Sequence, residues 1–177
     1  MMEMRKVPWL VDEAVEFLKR EINARNINNI LEFGSGASTI WFSKRVEILV
    51  SVEHDKDWYT KIFNLIKPRT GIDLRLRPQP YNTVCKESLP VREFDLVLID
   101  GRDRVACAQS AYQMIRPGGF LMLDNSDLFT TWAPPIFDLL KSWDKITWVQ
   151  KGPDQEGYLA PEGIDWETTV FKKSISS

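Results

Sequence analysis

The sequence predicts an α/β protein built on a doubly wound, mostly parallel seven-stranded sheet in three layers, closed by an antiparallel C-terminal hairpin. Three observations carry this expectation. Short apolar runs alternate with helical patterns through most of the chain. The strand NILEF (29–33) runs into Gly34-Ser35-Gly36 and then opens a helix. The last two apolar runs follow one another without a helix between them, so they pair antiparallel.

The elements follow in order. Pro8-Trp9-Leu10 leads into VDEAVEFLKREINARN, where Leu10, Ala14, Phe17, Leu18 and Ile22 recur at helical spacing. Residues 1–26 are therefore expected to form an N-terminal cap with a helix lying against the sheet. Strands are predicted at NILEF, EILVSVE, IDLRLR, FDLVLID and GFLMLD, with helices at STIWFSKR, DWYTKIFNLIK and VACAQSAYQMI between them. Pro68 is expected to end the second of these helices, and Arg116-Pro117-Gly118-Gly119 to stop the third. Pro78 to Val91 reads as irregular. Pro134-Pro135 opens a short helix, IFDLLKSW, and KITWVQKG and WETTVFKK form the closing hairpin across a polar loop from Pro153 to Asp165.

At 177 residues, 44% of them hydrophobic, the chain fits a single domain, 1–177, with a substantial core. Its net charge of -2, with basic and acidic residues interspersed, provides neither a nucleic-acid footprint nor a polybasic membrane patch. Cys85 and Cys107 are too few for a disulfide framework or a thiolate metal cluster and are expected reduced. No stretch approaches the roughly twenty apolar residues of a membrane span, and MMEMRKVPWL lacks the apolar core of a signal peptide, so a soluble, cytoplasmic protein is expected. A homodimer is compatible with this reading.

The stretch ILEFGSGAST (30–39), followed about twenty residues on by VSVEHD (50–55), concentrates the functional signal. Gly34 and Gly36 remove side chains where a ligand would cross the backbone, and the helix that follows offers free N–H groups to an anion. Glu53, at a strand end, can accept two hydrogen bonds from a ribose diol. A ligand-free tight turn and a solvated strand-end carboxylate are the bland alternatives. An NAD site is a further one, weakened because Thr39 stands where G-x-G-x-x-G has its third glycine.

With FDLVLID and IRPGGFLMLDN following in order, the chain resembles the class I S-adenosylmethionine-dependent methyltransferases over nearly its whole length, and in particular the small O-methyltransferases. The resemblance implies a Rossmann-like domain that binds S-adenosylmethionine. Glu32, Gly34, Gly36, Ser38, Thr39, Glu53, His54 and Asp100 would contact the cofactor. It implies methyl transfer to a small-molecule acceptor, with oxygen the expected atom. A catalytically inactive cofactor-binding scaffold is the alternative from another class. Nucleic-acid methylation is disfavoured because Asp-Gly-Arg-Asp stands where an Asn-Pro-Pro-Tyr type motif would follow the fourth strand.

Asp100 ends one strand and Asp124-Asn125 ends its neighbour, a set of hard oxygen donors suited to Mg²⁺. This is similar to the metal triad of catechol and caffeoyl-CoA O-methyltransferases, which would make Asp100, Asp124 and Asn125 the ligands and Mg²⁺ a second cofactor. The group's catalytic lysine has no counterpart. Asp103 occupies its place between Arg102 and Arg104, and with Asp100 it is the candidate catalytic residue. An ion-paired loop, or an arginine orienting an anionic substrate group, are the other readings of Asp-Gly-Arg-Asp-Arg. Trp132, in SDLFTTWAPP, and Trp9 are candidates to stack on an acceptor, with simple packing as the alternative.

Overall fold

The computed structural model describes residues 5–66, 69–127, 130–157 and 165–175. Pro68, Leu128 and Phe129 of the SDLFTTWAPP segment, and residues 158–164 of the expected polar loop lie outside them.

The strands are β1 (Asn29–Phe33), β2 (Ile48–Glu53), β3 (Ile72–Leu76), β4 (Phe94–Ile99), β5 (Ile115–Asp124), β6 (Asp144–Gln150) and β7 (Trp166–Lys172). They form one sheet in the order β3-β2-β1-β4-β5-β7-β6. The first five are parallel, and β7 runs antiparallel to both β5 and β6, which gives the expected hairpin. Among the described residues five helices cover the sheet: α1 (Asp12–Asn23), α2 (Ala37–Phe42), α3 (Lys56–Leu65), α4 (Arg104–Ala111) and α5 (Ala133–Leu139).

The two-residue period of a strand sorts the core into two layers. Ile30, Leu49, Leu96 and Leu98 point to one face, where they meet Ala14, Phe17 and Leu18 of α1 and Trp41 and Phe42 of α2. Leu31, Phe33, Val50, Val52, Val97 and Ile99 point to the other and meet Cys107, Ala108 and Ala111 of α4 and Ile136 of α5. The amphipathic stripe of α1 thus builds one of the three layers, and Phe17 packs edge-on against Phe120 at 5.2 Å.

Two elements differ from the sequence expectation. The third crossover helix ends at Ala111 and tightens into a 3₁₀ turn, Tyr112–Met114; Arg116–Gly119 then already belongs to β5. The strand absorbs the glycines through a register shift against β4 between Phe94 and Leu96. Between β3 and β4 the crossover carries only a 3₁₀ turn, Tyr81–Lys86, in the segment expected to be irregular.

The strand order reverses between β1 and β4, and there the two chains leave the sheet in contact with each other. Gly34 follows β1 with φ +96°, and a Cβ on it would lie 2.8 Å from Gly101 Cα. A Cβ on Gly101 would fall on the Tyr81 hydroxyl and come within 3.1 Å of Gly34 Cα. The Tyr81 hydroxyl itself accepts a hydrogen bond from the Arg102 N–H. We expect Gly101→Ala to destabilise the protein by about 1–3 kcal/mol, the range for overpacking. Tyr81→Phe should recover part of that loss in the double variant, measured as non-additivity in urea unfolding.

Candidate functional site

Two cavities open along the carboxyl ends of the parallel strands. The larger, about 530 Å³, is lined by Gly34, Ser35, Glu53, His54, Asp55, Trp58, Asp100, Gly101 and Arg102. The smaller, about 300 Å³, is lined by Trp9, Leu10, Val11, Asp100, Asp124, Asn125 and Trp166. Asp100 borders both, so a molecule in either cavity meets the same carboxyl.

The glycine turn rests on a buried polar network. Residues Glu32 and Ser51 alternate out of the apolar face of β1 and β2 and point towards α2. The Glu32 carboxylate accepts from Ser38 Oγ at 2.5 Å, Thr39 Oγ1 at 2.6 Å and Ser51 Oγ at 2.5 Å. Because the single hydroxyl proton of Ser51 goes to Glu32, Ser35 Oγ must be the donor in its 2.8 Å contact with Ser51 Oγ. Thr39 Oγ1 also accepts from Gly36 N at 2.8 Å, which fastens the start of α2. Burial pushes the Glu32 carboxyl up to about 7, against the pull of its three hydroxyl donors. Glu32, Ser38 and Thr39 are thus bonded to one another beneath the turn. None of the three lines the cleft.

Gly34 and Gly36 play different parts. The missing side chain of Gly34 makes room for Gly101, whereas a Cβ at Gly36 would meet no atom within 4 Å. Open space for a ligand therefore lies over Gly36. Glu53 is 3% exposed, and its Oε1 accepts from the N–H groups of His54 (2.7 Å) and Asp55 (2.8 Å) while Oε2 accepts from Ser35 N (3.1 Å). A carboxylate offers about four lone-pair sites, so Oε2 keeps capacity for one more donor. His54 Nδ1 stands 2.8 Å from Glu53 Oε1, and the imidazole lies 5.7 Å from the Tyr81 ring. Asp55 caps α3 by accepting from Trp58 N at 2.7 Å, and the Trp58 indole N–H donates to Ser35 O at 2.6 Å, making Trp58 a wall of the cleft.

Asp100, Asp124 and Asn125 do come together, but around a cation the chain supplies itself. Arg104, one helical turn beyond Asp100, has its Nη2 3.5 Å from Asp100 Oδ1 and 3.1 Å from Asn125 Oδ1. Its Nη1 donates to the Asp124 carbonyl and its Nε to the Gly101 carbonyl at 2.9 Å. Asp124 Oδ1 accepts from Thr168 Oγ1 at 2.8 Å. Burial raises the pKa of Asp100 and of Asp124, the second carboxylate raises Asp100 further, and Arg104 pulls both back down. Together they favour one proton held between the two carboxyls. Among the described residues no group of three or more His, Cys, Asp or Glu side chains could hold a metal ion. A guanidinium seated among the expected ligands does not fit a divalent cation, so the Mg²⁺ expectation is not retained.

Asp103 lies apart from both cavities. It is exposed, adopts the left-handed conformation (φ +50°, ψ +35°) and begins α4. The ion pair within Asp-Gly-Arg-Asp-Arg is formed by Asp100 and Arg104, at 3.5 Å. Trp132 does not line the smaller cavity. Its ring carries the Arg104 guanidinium at 5.0 Å and its indole N–H donates to Asn125 O at 3.0 Å. Trp9 does line that cavity and packs edge-on against Trp166 at 6.4 Å.

Residues that the sequence reading did not assign to the site are Trp58, Tyr81, Gly101 and Trp166. Gly101 had a signal, a second glycine immediately after a strand-end carboxylate. Trp58, three residues after the helix-capping Asp55, had a weaker one. Tyr81 and Trp166 had none, one lying in an irregular segment and the other opening a strand.

No protein-family model and no curated protein sequence matches the chain. Solved structures match its fold. The O-methyltransferase from Bacillus cereus in complex with SAH is 18% identical, with 94% of this chain and 84% of that one covered and a TM-score of 0.63. The N-methyltransferase NodS from Bradyrhizobium japonicum WM9, in complex with S-adenosyl-L-homocysteine, is 14% identical over 92% of this chain and 86% of that one, with a TM-score of 0.65. A methyltransferase-like protein from Silicibacter pomeroyi DSS-3 is 20% identical over 98% and 93%, with a TM-score of 0.62. At these identities the likeness establishes a shared methyltransferase-type fold, with its mostly parallel sheet and antiparallel closing strand.

The Glu32 network makes a pH prediction. Its folded-state pKa of about 7 lies above the unfolded value of 4.5, so the folded state binds the extra proton. The associated stability is fully present below pH 4.5 and is lost as pH rises through 7. Between pH 5 and 8 the wild type should lose about 2–3 kcal/mol that Glu32→Gln does not lose, read as the difference between the two pH profiles of urea unfolding.

Proposed function

We propose that the protein is an S-adenosylmethionine-dependent methyltransferase acting on a small-molecule acceptor, with oxygen as the atom methylated. The observation that carries this reading is the shared border of the two cavities. A cleft lined by the Gly34-Ser35 turn and Glu53, with open space beside the turn at Gly36, adjoins an aromatic pocket, and Asp100 stands between them. Transfer between two bound molecules needs that adjacency, because most of its acceleration comes from holding donor and acceptor in line.

The residues present fit the cofactor. Glu53 has one acceptor site left for a ribose hydroxyl, the cleft is large enough for a nucleoside, and no side chain crosses the backbone at Gly36. Bound there, the cofactor would supply a methyl group made electrophilic by its sulfonium. Trp58 and the Gly34-Ser35 turn would bound its adenosine portion, and Trp9, Leu10, Val11 and Trp166 would hold a flat, apolar acceptor while excluding water. Asp100 would accept the hydrogen of the acceptor hydroxyl while the proton that the pair shares lies on Asp124. The partial burial of Asp100 strengthens it as a base relative to an exposed carboxylate. Asp103, exposed and outside both cavities, is given no part.

Calorimetric titration with S-adenosylhomocysteine tests the reading. Wild type should bind. Gly36→Leu, whose side chain would enter space that the protein leaves open, should keep its thermal stability and lose affinity by roughly tenfold or more. Glu53→Ala should lose affinity too, but it also strips an acceptor from three backbone N–H groups, so Gly36→Leu is the cleaner variant. Absence of binding to the wild type would remove the proposal. Methyl transfer to any member of an acceptor panel, slowed by roughly 10²–10⁴-fold in Asp100→Asn, would separate an enzyme from a binding scaffold.

A further inference from the structure

We infer that Arg104 is a built-in cation that takes the place of a divalent metal between Asp100, Asp124 and Asn125 and keeps such an ion out. The guanidinium reaches all three residues and the Gly101 carbonyl, with its side chain only 10% exposed. It is clamped from the other side by the Trp132 ring, whose own indole N–H is fixed on Asn125 O. Four of its five N–H groups face oxygen partners among the described residues.

A magnesium ion needs near-octahedral oxygen ligands at about 2.0–2.1 Å. Here Asn125 Oδ1 already receives a hydrogen bond from Arg104, and Asp124 Oδ1 one from Thr168. A full positive charge that does not deprotonate stands 3.5 Å from Asp100. For a metal to enter, Arg104 would have to leave, and its departure would unpair two carbonyl oxygens and expose one face of Trp132. Arg104 does not line the acceptor pocket, so it acts through the Asp100 carboxyl, the Asn125 amide and the Asp124 main chain that it holds, and is a positioning residue. Resting on the methyltransferase reading, the consequence for substrate is that an acceptor meets Asp100 through one donated hydrogen bond. A pair of adjacent hydroxyls finds no ion to chelate.

Mn²⁺ titration followed by water-proton relaxation tests this on the full chain, with S-adenosylhomocysteine affinity measured on the same samples. Wild type and Arg104→Lys, which keeps the charge, should take up no ion that Asp100→Asn removes. Arg104→Met keeps an unbranched stem against Trp132 and should gain Mn²⁺ affinity by roughly tenfold or more, lost again in the double variant with Asp100→Asn. Mn²⁺ uptake by the wild type that Asp100→Asn abolishes would overturn the inference, and this arm needs no variant of Arg104. A folded Arg104→Met that gains no Mn²⁺ would overturn it as well. Failure to bind S-adenosylhomocysteine would instead remove the methyltransferase reading and leave the Mn²⁺ outcome to decide the role of Arg104.

Discussion

The backbone contact between Gly34 and Gly101 is the constraint on which the site depends. Two central strands that diverge at a switch point normally leave a crevice. Here the residues just past β1 and β4 touch, and no side chain can be fitted between them. Because Gly101 is pinned, Asp100 is pinned one residue earlier, its N–H on the Phe33 carbonyl at 3.0 Å. The crevice is therefore divided into a cleft on the Glu53 side and a pocket on the Asp124 side, and the dividing wall carries a carboxyl. Tyr81 holds this arrangement from below through its hydroxyl on Arg102 N, which explains why an irregular segment contributes a fully buried tyrosine.

Around this wall the protein buries more acid than an apolar fold would tolerate without compensation. Glu32, Glu53 and Asp124 are each at most 6% exposed. The compensation differs at each. Glu32 is held by hydroxyls, Glu53 by backbone N–H groups, and Asp124 by Thr168 and the charge of Arg104. Hydroxyl donors alone do not offset burial at Glu32, whose carboxyl rises to about 7. Where two carboxyls face each other, a shared proton and the charge of Arg104 together offset their repulsion. Such fixed donors give a site whose dipoles are already oriented before a ligand arrives.

The sheet was legible because periodicity reports burial directly. NILEF, IDLRL and FDLVLI are strands over the spans their apolar runs mark, and the absence of a crossover between the last two strands gave their antiparallel sense. The start of β5 was less legible. Arg116-Pro117-Gly118-Gly119 reads as a stop signal, but a bulged strand accommodates the same residues once Arg116 pairs with Asp95. At the site, residue types were readable and roles were not. Glu32 and Glu53 look equivalent in sequence and share one face of the sheet, but Glu32 stands level with Ser51 while Glu53 lies two residues further along, so one sits beneath the turn and the other in the cleft wall. What stands among the expected ligands was not legible, because Arg104 reads as a neighbour of Asp103 in sequence, whereas an i,i+4 step from Asp100 turns its guanidinium into the carboxyl cluster.

The acceptor pocket is built on a different principle from the cleft. Its aromatic wall comes from residues 9–11 and Trp166, far apart in the chain, and the ties that join them are polar. Arg5 pairs with Asp154, the N–H groups of Lys6 and Val7 converge on Glu156 Oε1 at 2.8 and 3.1 Å, and Asp12 N donates to Gln150 Oε1 at 2.8 Å. These bonds fix the N-terminal segment to the end of β6 and the chain beyond it, so the Trp9 side of the pocket is set by long-range contacts, while Trp166 is placed by its register opposite Gln150. Strand ends position the reactive carboxyl to within the tolerance of a hydrogen bond. A strap anchored through side chains sets only which molecule fits beside it. On the proposed reading, chemistry and acceptor choice rest on separate parts of the molecule, and the ties that seat the second, from Arg5 to Asp154 and from Lys6 and Val7 to Glu156, lie outside the periodic segments.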